Sequence, residues 1–245
     1  MRSVGRALEV LETIADLQPV GVTDIARHLN EPKSSVQRVI DTLAQGRWIT
    51  RQTPDVASWS IAVRTTLLGR RFAEQMGVGQ LALETMERLR QETGETIHLA
   101  IPRESSVILI ERLESPHPVR YVEPLGGAAS IFLTATGKSI LANFDDEQLE
   151  RLIRANATSL SENGIEPEAL REELDLVRQE GFATTRQWRS DVFATAAAIL
   201  GENEQPLAAI SISAPASRVG DTELVSYPAL VRDAAREITK LVKRQ

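Results

Sequence analysis

Residues 22–46, VTDIARHLNEPKSSVQRVIDTLAQG, decide the fold of the N-terminal part of the chain. This stretch predicts a short helix over residues 24–29, a tight turn at Asn30 and Glu31, and a longer helix that starts at Pro32. The longer helix carries apolar residues at helical spacing: Val36, Val39, Ile40 and Leu43. Gly46 follows as its stop, so two helices joined by a tight turn are expected here.

The polar side chains at the start of the longer helix lie opposite its apolar stripe. They are Lys33, Ser34, Ser35, Gln37 and Arg38. Arginine pairs with guanine and glutamine with adenine in the major groove, while serine and lysine bind phosphate. The plainer interpretation is the solvated face of an amphipathic helix, and the flanking elements decide between the two.

Those flanking elements favour DNA. A first helix, capped by Ser3 and ended by Pro19, precedes the pair. Two antiparallel strands are expected around residues 48–52 and 58–63, with turn residues at 53–55. This order is typical of a winged helix-turn-helix, in which the N-terminal residues of the recognition helix contact bases. The sequence therefore predicts a DNA-binding head.

The rest of the chain predicts an α+β domain with an antiparallel sheet covered by helices. Helices are expected at 65–75, 78–93, 136–143, 146–155, 167–180 and 221–242. Strands are expected at 96–101, 107–112, 119–122, 196–200 and 207–213. Gly77 and Gly79 mark the boundary before this domain.

The composition limits the possible functions. The chain has 245 residues, 42% hydrophobic and 25% charged, with a net charge of −6 and no cysteine, which excludes disulfides, thiolate zinc sites and cysteine nucleophiles. The first 72 residues carry ten Lys and Arg against seven Asp and Glu, so a slightly basic head precedes an acidic body. The first residues are too interrupted by charge for a signal peptide, and no run of about 18 apolar residues occurs. We expect a soluble, cytoplasmic protein.

Motifs for catalysis and metal binding are incomplete. The string TGKS at 136–139 lacks the glycine that a phosphate-binding loop needs five residues before Gly137, where Phe132 stands. The three histidines, His28, His98 and His117, have no partners at metal-ligand spacing. We therefore expect no metal and no cofactor. The same helix start, with Thr134 as its cap, is still suited to a small carboxylate.

Ser211 and Ser213 alternate with apolar residues in the string AISIS, so a strand would place both hydroxyls on one face. The spacing leaves two interpretations open. One is a solvated face of the sheet, which the spacing alone favours, and the other is a binding site.

The whole chain resembles the IclR family of bacterial transcription regulators. The resemblance rests on seven strings in order: VGRALEVLETIA, VTDIARHLNEPKSSVQRVIDTLAQGRWI, TGETIHLAI, VILIERLESPHPVR, TATGKSILA, VRQEGFA and PLAAISISAP. It implies a winged helix-turn-helix at 1–62, a linker helix at 63–77 and a GAF-like α+β domain at 78–245 that binds an effector and oligomerises. It also implies that the protein binds operator DNA as a homodimer or a dimer of dimers, with a small carboxylate effector.

The resemblance assigns roles to individual residues. It makes the helix after Pro32 the recognition helix, with base readers at Ser34, Ser35, Gln37 and Arg38. It puts Arg51 and Trp59 on the wing. The residues that it implies for the effector site are Tyr121, Ala129, Ala135, Thr136, Thr184, Ala194, Ser211 and Ser213. The amides of Ala135 and Thr136 would hold a carboxylate.

This chain departs from members that bind small oxoacids. Those members have Asp where this chain has Thr184 and Cys where it has Ala194. A less acidic, more apolar pocket with Tyr121 on its wall predicts an acid with an apolar body, aromatic or of medium chain length. Two alternatives stay open: a constitutive DNA-binding repressor without ligand, and a small-molecule enzyme that uses the same pocket.

Overall fold

A computed structural model describes residues 2–51, 58–185 and 191–244, with all side chains in those ranges except those of Arg2 and residues 70–76. The chain divides into two compact units, Met1–Gln75 and Met76–Gln245. We call them the head and the body. The limits expected at 1–62, 63–77 and 78–245 stay a prediction.

The head combines helices with a small antiparallel sheet. Its helices are α1 (Arg2–Leu17), α2 (Val22–His28), α3 (Lys33–Gln45) and α4 (Val63–Met76), the last of which ends just inside the body. Its strands are β1 (Val20–Gly21), β2 (Ile49–Arg51) and β3 (Ser58–Ile61), in the order β1-β3-β2. The core forms where apolar faces of these elements meet, and it includes Val10, Ile14, Ile25, Val36, Ile40 and Trp59.

The start of α3 differs by one residue from the sequence expectation. Pro32 is the N-cap in an extended conformation, and its carbonyl accepts a hydrogen bond from the Ser35 amide at 2.9 Å. Asn30, with φ of 52°, makes the left-handed turn between α2 and α3, a conformation that asparagine tolerates. The helix pair and tight turn predicted from residues 22–46 are present.

The body is a six-stranded antiparallel sheet with helices on both faces. Its strands are β4 (Thr96–Arg103), β5 (Ser106–Leu113), β6 (Ala128–Ser130), β7 (Ala183–Thr185), β8 (Val192–Leu200) and β9 (Pro206–Pro215), in the order β6-β5-β4-β9-β8-β7. Its helices are α5 (Val78–Thr93), α6 (Ala135–Leu141), α7 (Asp146–Ala155), α8 (Ala157–Glu162), α9 (Pro167–Glu180) and α10 (Asp221–Val242).

Alternation along the strands sends side chains to two separate cores. Ile97, Leu99 and Ile210 pack with α5 and α10 on one face. Ala100 and Ala209 belong to the other face, with α6, α7, α8 and α9. The predicted α+β fold with an antiparallel sheet is confirmed.

The strand expected at 119–122 is wrong. This segment is irregular, and the next strand is β6. Pro116, Pro118 and Pro124 surround the expected strand, and proline cannot donate to a ladder. Short elements, β6, β7 and α8, were not predicted because three to six residues give little periodicity.

Among the described residues, no helix combines the length and apolar character needed to cross a bilayer.

Candidate functional site

The outward face of α3 carries the residues predicted to contact DNA. Val36, Ile40 and Leu43 are buried, which turns the opposite face to the surface. Lys33, Ser34 and Arg38 are exposed, and Ser35 and Gln37 are half-buried. All five thus lie on one helix face at its N-terminal end, where a recognition helix contacts bases.

Gln37 is held in place by a neighbour on the same helix. Its Nε2 donates to Asp41 Oδ1 at 2.8 Å. This bond uses one of the two amide protons and leaves the carbonyl oxygen and the second proton available.

The hairpin that follows α3 presents Arg51. Arg51 is exposed on β2, with its guanidinium 5.0 Å from the centre of the Trp59 ring. Trp59 lies on the hairpin, as the resemblance implied, but its ring is only 6% exposed and belongs to the core of the head. The expected turn residues at 53–55 lie outside the described residues.

The body contains a cavity of about 690 Å³, including its open mouth. It lies between the sheet face that carries β9 side chains and the start of α6. Seven of the eight residues expected to contact an effector line this cavity: Tyr121, Ala129, Ala135, Thr136, Ala194, Ser211 and Ser213. The structure brings these residues together, and their role in binding stays a prediction.

The eighth residue, Thr184, does not line the cavity, so its expected place in the effector site is wrong. The middle residue of β7, it is exposed and does not line the cavity, whereas the neighbouring Thr185 does. Successive residues of a strand point to opposite faces, so a shift of one residue exchanges the two threonines. The Thr184 hydroxyl lies 3.3 Å from that of Thr195.

The hydroxyls of Ser211 and Ser213 lie on a buried face of the sheet. Both residues are buried and line the cavity, so the interpretation as a solvated sheet face is wrong. On β4, Ser211 pairs with His98 and Ser213 pairs with Thr96. Polar side chains from two adjacent strands therefore converge on the cavity.

His98 is one of several cavity residues that the sequence did not assign to the site, and it carries a titratable group. It is buried, and its Nδ1 lies 3.2 Å from Ser213 Oγ, while its Nε2 is buried without a hydrogen-bond partner among the described residues. Burial, with the positive charge of Arg112 as a second cause, lowers the pKa of His98 to about 4. The imidazole is therefore neutral near pH 7. The sequence contained one signal for this residue: His98 alternates with apolar residues in β4, the strand that pairs with the AISIS string.

The irregular segment 114–127 forms one wall of the cavity. Tyr121 meets the His98 ring edge-on with centroids 6.0 Å apart, and its hydroxyl donates to the Glu123 carboxylate. Two guanidinium groups hold the backbone of the segment: Arg112 donates to the Glu123 carbonyl, and Arg218 donates to the Val119 carbonyl at 3.1 Å.

The start of α6 forms the facing wall. Thr134 is its N-cap, as predicted, and accepts a hydrogen bond from the Gly137 amide at 3.0 Å. The first N–H groups of a helix, here those of Ala135 and Thr136, have no intrahelical acceptor. A Cβ on Gly137 would lie 2.1 Å from the Ile131 carbonyl oxygen, so glycine permits the close packing of this helix start.

The lining of the cavity is mostly apolar, with a few polar groups. Alanine, valine and leucine side chains supply much of the wall, and hydroxyls, one imidazole and one carboxylate supply the polar groups. Among the described residues, no Lys or Arg lines it. The described residues also hold no group of three or more metal-ligating side chains of the kind that binds an ion.

Comparison with known proteins finds a family match for each of the two units. Residues 3–53 match the IclR helix-turn-helix domain, and residues 71–240 match the family described as bacterial transcriptional regulator IclR C-terminal. The transcriptional repressor IclR of Escherichia coli K12 is 28% identical over 245 residues, which cover 98% of this chain and 89% of that protein. The regulator BhcR of Paracoccus denitrificans is 29% identical over 244 residues, which cover 98% and 86%.

Solved structures share the fold. The superposition on the IclR protein of Thermotoga maritima covers 99% of this chain and 99% of that protein, with a TM-score of 0.80 at 22% sequence identity. An IclR homologue from Microbacterium hydrocarbonoxydans, solved with 4-hydroxybenzoate, covers 99% of this chain and 100% of its own with a TM-score of 0.76 at 22% identity. Because the C-terminal match alone spans more than half of the sequence, the chain belongs to the IclR family of bacterial transcriptional regulators, which bind DNA.

Proposed function

We propose that this regulator binds its operator through α3 and the β2–β3 hairpin, and that a small organic acid in the cavity of the body changes that binding. The convergence of Ala135, Thr136, Ser211 and Ser213 on one cavity is the observation that carries the proposal. A cavity with apolar walls and a few converging polar groups is the usual form of a small-molecule site.

On the DNA side, the proposed phosphate contact is Lys33, and the proposed base readers are Ser34, Ser35, Gln37 and Arg38. Arg51, exposed on the hairpin, is a further contact. The functional groups of α3 are presented at its N-terminal turns, where the backbone N–H groups also attract phosphate.

Binding assays on the variant Arg38→Ala test the DNA contacts. If Arg38 contacts a base, Arg38→Ala should weaken binding to the cognate operator by about 1–3 kcal/mol and binding to unrelated duplex much less. Lys33→Ala should lower the salt dependence of the binding constant by the amount that corresponds to about one phosphate contact. Arg236→Ala, at an exposed site of the body, is the matched control. Equal losses on all duplexes would make Arg38 a phosphate contact.

The proposed effector is a monocarboxylate with an apolar body, and an aromatic acid fits best. The N–H groups of Ala135 and Thr136 offer hydrogen bonds to one carboxylate, and the remaining walls are largely apolar. Ala194 and Thr185 supply no charge, and Tyr121 offers an aromatic surface. The solved homologue with 4-hydroxybenzoate supports an aromatic acid in a body of this fold.

Calorimetric titration and thermal shift test the effector class. We expect benzoate-type or medium-chain acids to bind and to raise the unfolding temperature of the protein by mass action. Tight binding of glyoxylate with no response to aromatic acids would refute the proposed class.

Mobility-shift assays with and without these acids separate an effector-responsive regulator from a constitutive repressor. A response requires different affinity of the ligand for two states of the protein. A homodimer or a dimer of dimers in the cytoplasm is the proposed assembly, by analogy with the family. A turnover assay with the same acids tests the enzyme alternative, for which we expect no product.

A further inference from the structure

One polar atom of a residue that lines the cavity has unused hydrogen-bonding capacity. Nε2 of His98 is buried without a partner among the described residues, although Nδ1 of the same ring lies 3.2 Å from Ser213 Oγ. More than nine in ten buried polar groups in proteins are hydrogen-bonded, so an unpaired one requires an explanation. His98 lines the cavity, and a bound molecule can supply the missing partner.

We infer that His98 is a specificity-determining residue whose Nε2 forms a hydrogen bond with a neutral hydroxyl group of the bound acid. The inference rests on the proposed function, since it assumes that the cavity binds an organic acid. It narrows the ligand class to acids that carry a hydroxyl group in addition to the carboxylate.

The surroundings of His98 favour a neutral group over a second anion. The imidazole is neutral at pH 7 because of its burial. Glu123 is among the lining residues, and the described lining contains no Lys or Arg. A second carboxylate of the ligand would therefore lose water next to the like charge of Glu123, with no Lys or Arg among the described lining residues to compensate it.

A hydroxyl group also fits either form of the imidazole. If Ser213 donates to Nδ1, Nε2 carries the proton and donates to the ligand, and if Nδ1 donates to Ser213, Nε2 accepts. A hydroxyl can accept in the first case and donate in the second.

The ring of His98 is held in place before any ligand binds. Ser213 contacts its Nδ1, and the Tyr121 ring lies edge-on at 6.0 Å. A fixed donor or acceptor discriminates more strongly than a mobile one, because no ordering is needed on binding. A site built for a hydroxyl discriminates strongly against the analogue without it.

Calorimetry with benzoate and the three monohydroxybenzoates tests the inference on the full chain. The acids differ only by a hydroxyl and its position, so benzoate is the matched control ligand. We expect at least one hydroxybenzoate to bind wild-type protein about tenfold or more tighter than benzoate. If benzoate binds as tightly as all three, the inference is overturned.

The variant His98→Leu should remove this preference, bringing the affinity for the best hydroxybenzoate to within about threefold of the affinity for benzoate. His98→Gln retains a polar nitrogen and should restore part of the preference. His117→Leu makes the same change at an exposed histidine outside the cavity lining and should behave as wild type. A hydroxyl preference that survives in His98→Leu would overturn the inference.

If His98→Leu does not fold, wild-type protein with ¹⁵N-labelled histidine provides the test. The Nε2 resonance of His98 should move on adding the preferred hydroxybenzoate and stay in place with benzoate. Equal movement with both acids would count against a hydroxyl contact. Binding of benzoate alone would overturn the inference and leave the proposed function standing, whereas binding of neither these four acids nor a medium-chain acid would overturn both proposals.

Discussion

Acidification should destabilise the body through His98. Burial lowers the pKa of this residue from 6.5 to about 4, so the folded protein holds the imidazole neutral while the unfolded chain binds a proton near pH 6.5. The unfolded state therefore binds more protons between those two values, and stability falls as the pH falls through that window. Each unit of pKa difference is about 1.4 kcal/mol, so the full effect is about 3 kcal/mol.

The stability effect is measured as the difference between wild type and a variant that cannot titrate. Denaturant unfolding from pH 7 to pH 4 should show wild type losing about 3 kcal/mol more than His98→Asn, with no further divergence below about pH 4. His28→Asn, at an exposed helical site, is the control and should follow wild type.

The titration itself is directly observable because the chain contains only three histidines. A ¹H–¹³C spectrum of histidine rings should show one residue that stays neutral until about pH 4, assigned by its loss in His98→Asn. Titration of this residue near pH 6.5 would refute the burial argument, as would identical pH dependence of wild type and His98→Asn.

Two further substitutions test the packing around the cavity. Gly137→Ala places a Cβ 2.1 Å from the Ile131 carbonyl oxygen, and we expect thermal unfolding to show a loss of about 3 kcal/mol or more in the free energy of unfolding. The control Gly79→Ala has open space around its Cβ position and should be neutral or stabilising. Equal effects of the two variants would contradict the predicted steric clash at Gly137. Arg218→Met leaves the Glu95 carboxylate, 2% exposed, without its guanidinium partner at 2.5 Å. We expect a loss of about 3 kcal/mol in chemical unfolding, at the low end for a broken buried pair because Arg218 is 31% exposed, and a loss under about 0.5 kcal/mol would show that the pair contributes little.

The sequence predicted the elements whose patterns are long. The helices α5 and α10 have the predicted limits, Val78–Thr93 and Asp221–Val242, because regular apolar spacing runs along both; glycines flank α5 at both ends and α10 at its start. The head was predicted from residues 22–46 for the same reason. The segment 119–122 was mistaken for a strand because its valines and tyrosine have high strand propensity, which the surrounding prolines override.

The cavity was only partly predictable. The seven lining residues came from family resemblance, and strand alternation supported only Ser211 and Ser213. The prediction that Thr184 lines the cavity missed the lining residue Thr185 by one position, because a three-residue strand gives no internal check on which face a side chain occupies. His98 was missed because it was weighed only as a metal ligand, and a cross-strand neighbour such as Ser211 is not visible without the register.

The wall formed by residues 114–127 has an evolutionary consequence. Arg112 and Arg218 hold it by main-chain carbonyl oxygens, at Glu123 and Val119, which every amino acid provides. The side chains of Val119 and Glu123 can therefore change between lineages without loss of these two main-chain contacts. Under the proposed function, recognition of a different acid then requires exchange of a few wall residues while the sheet behind them stays unchanged.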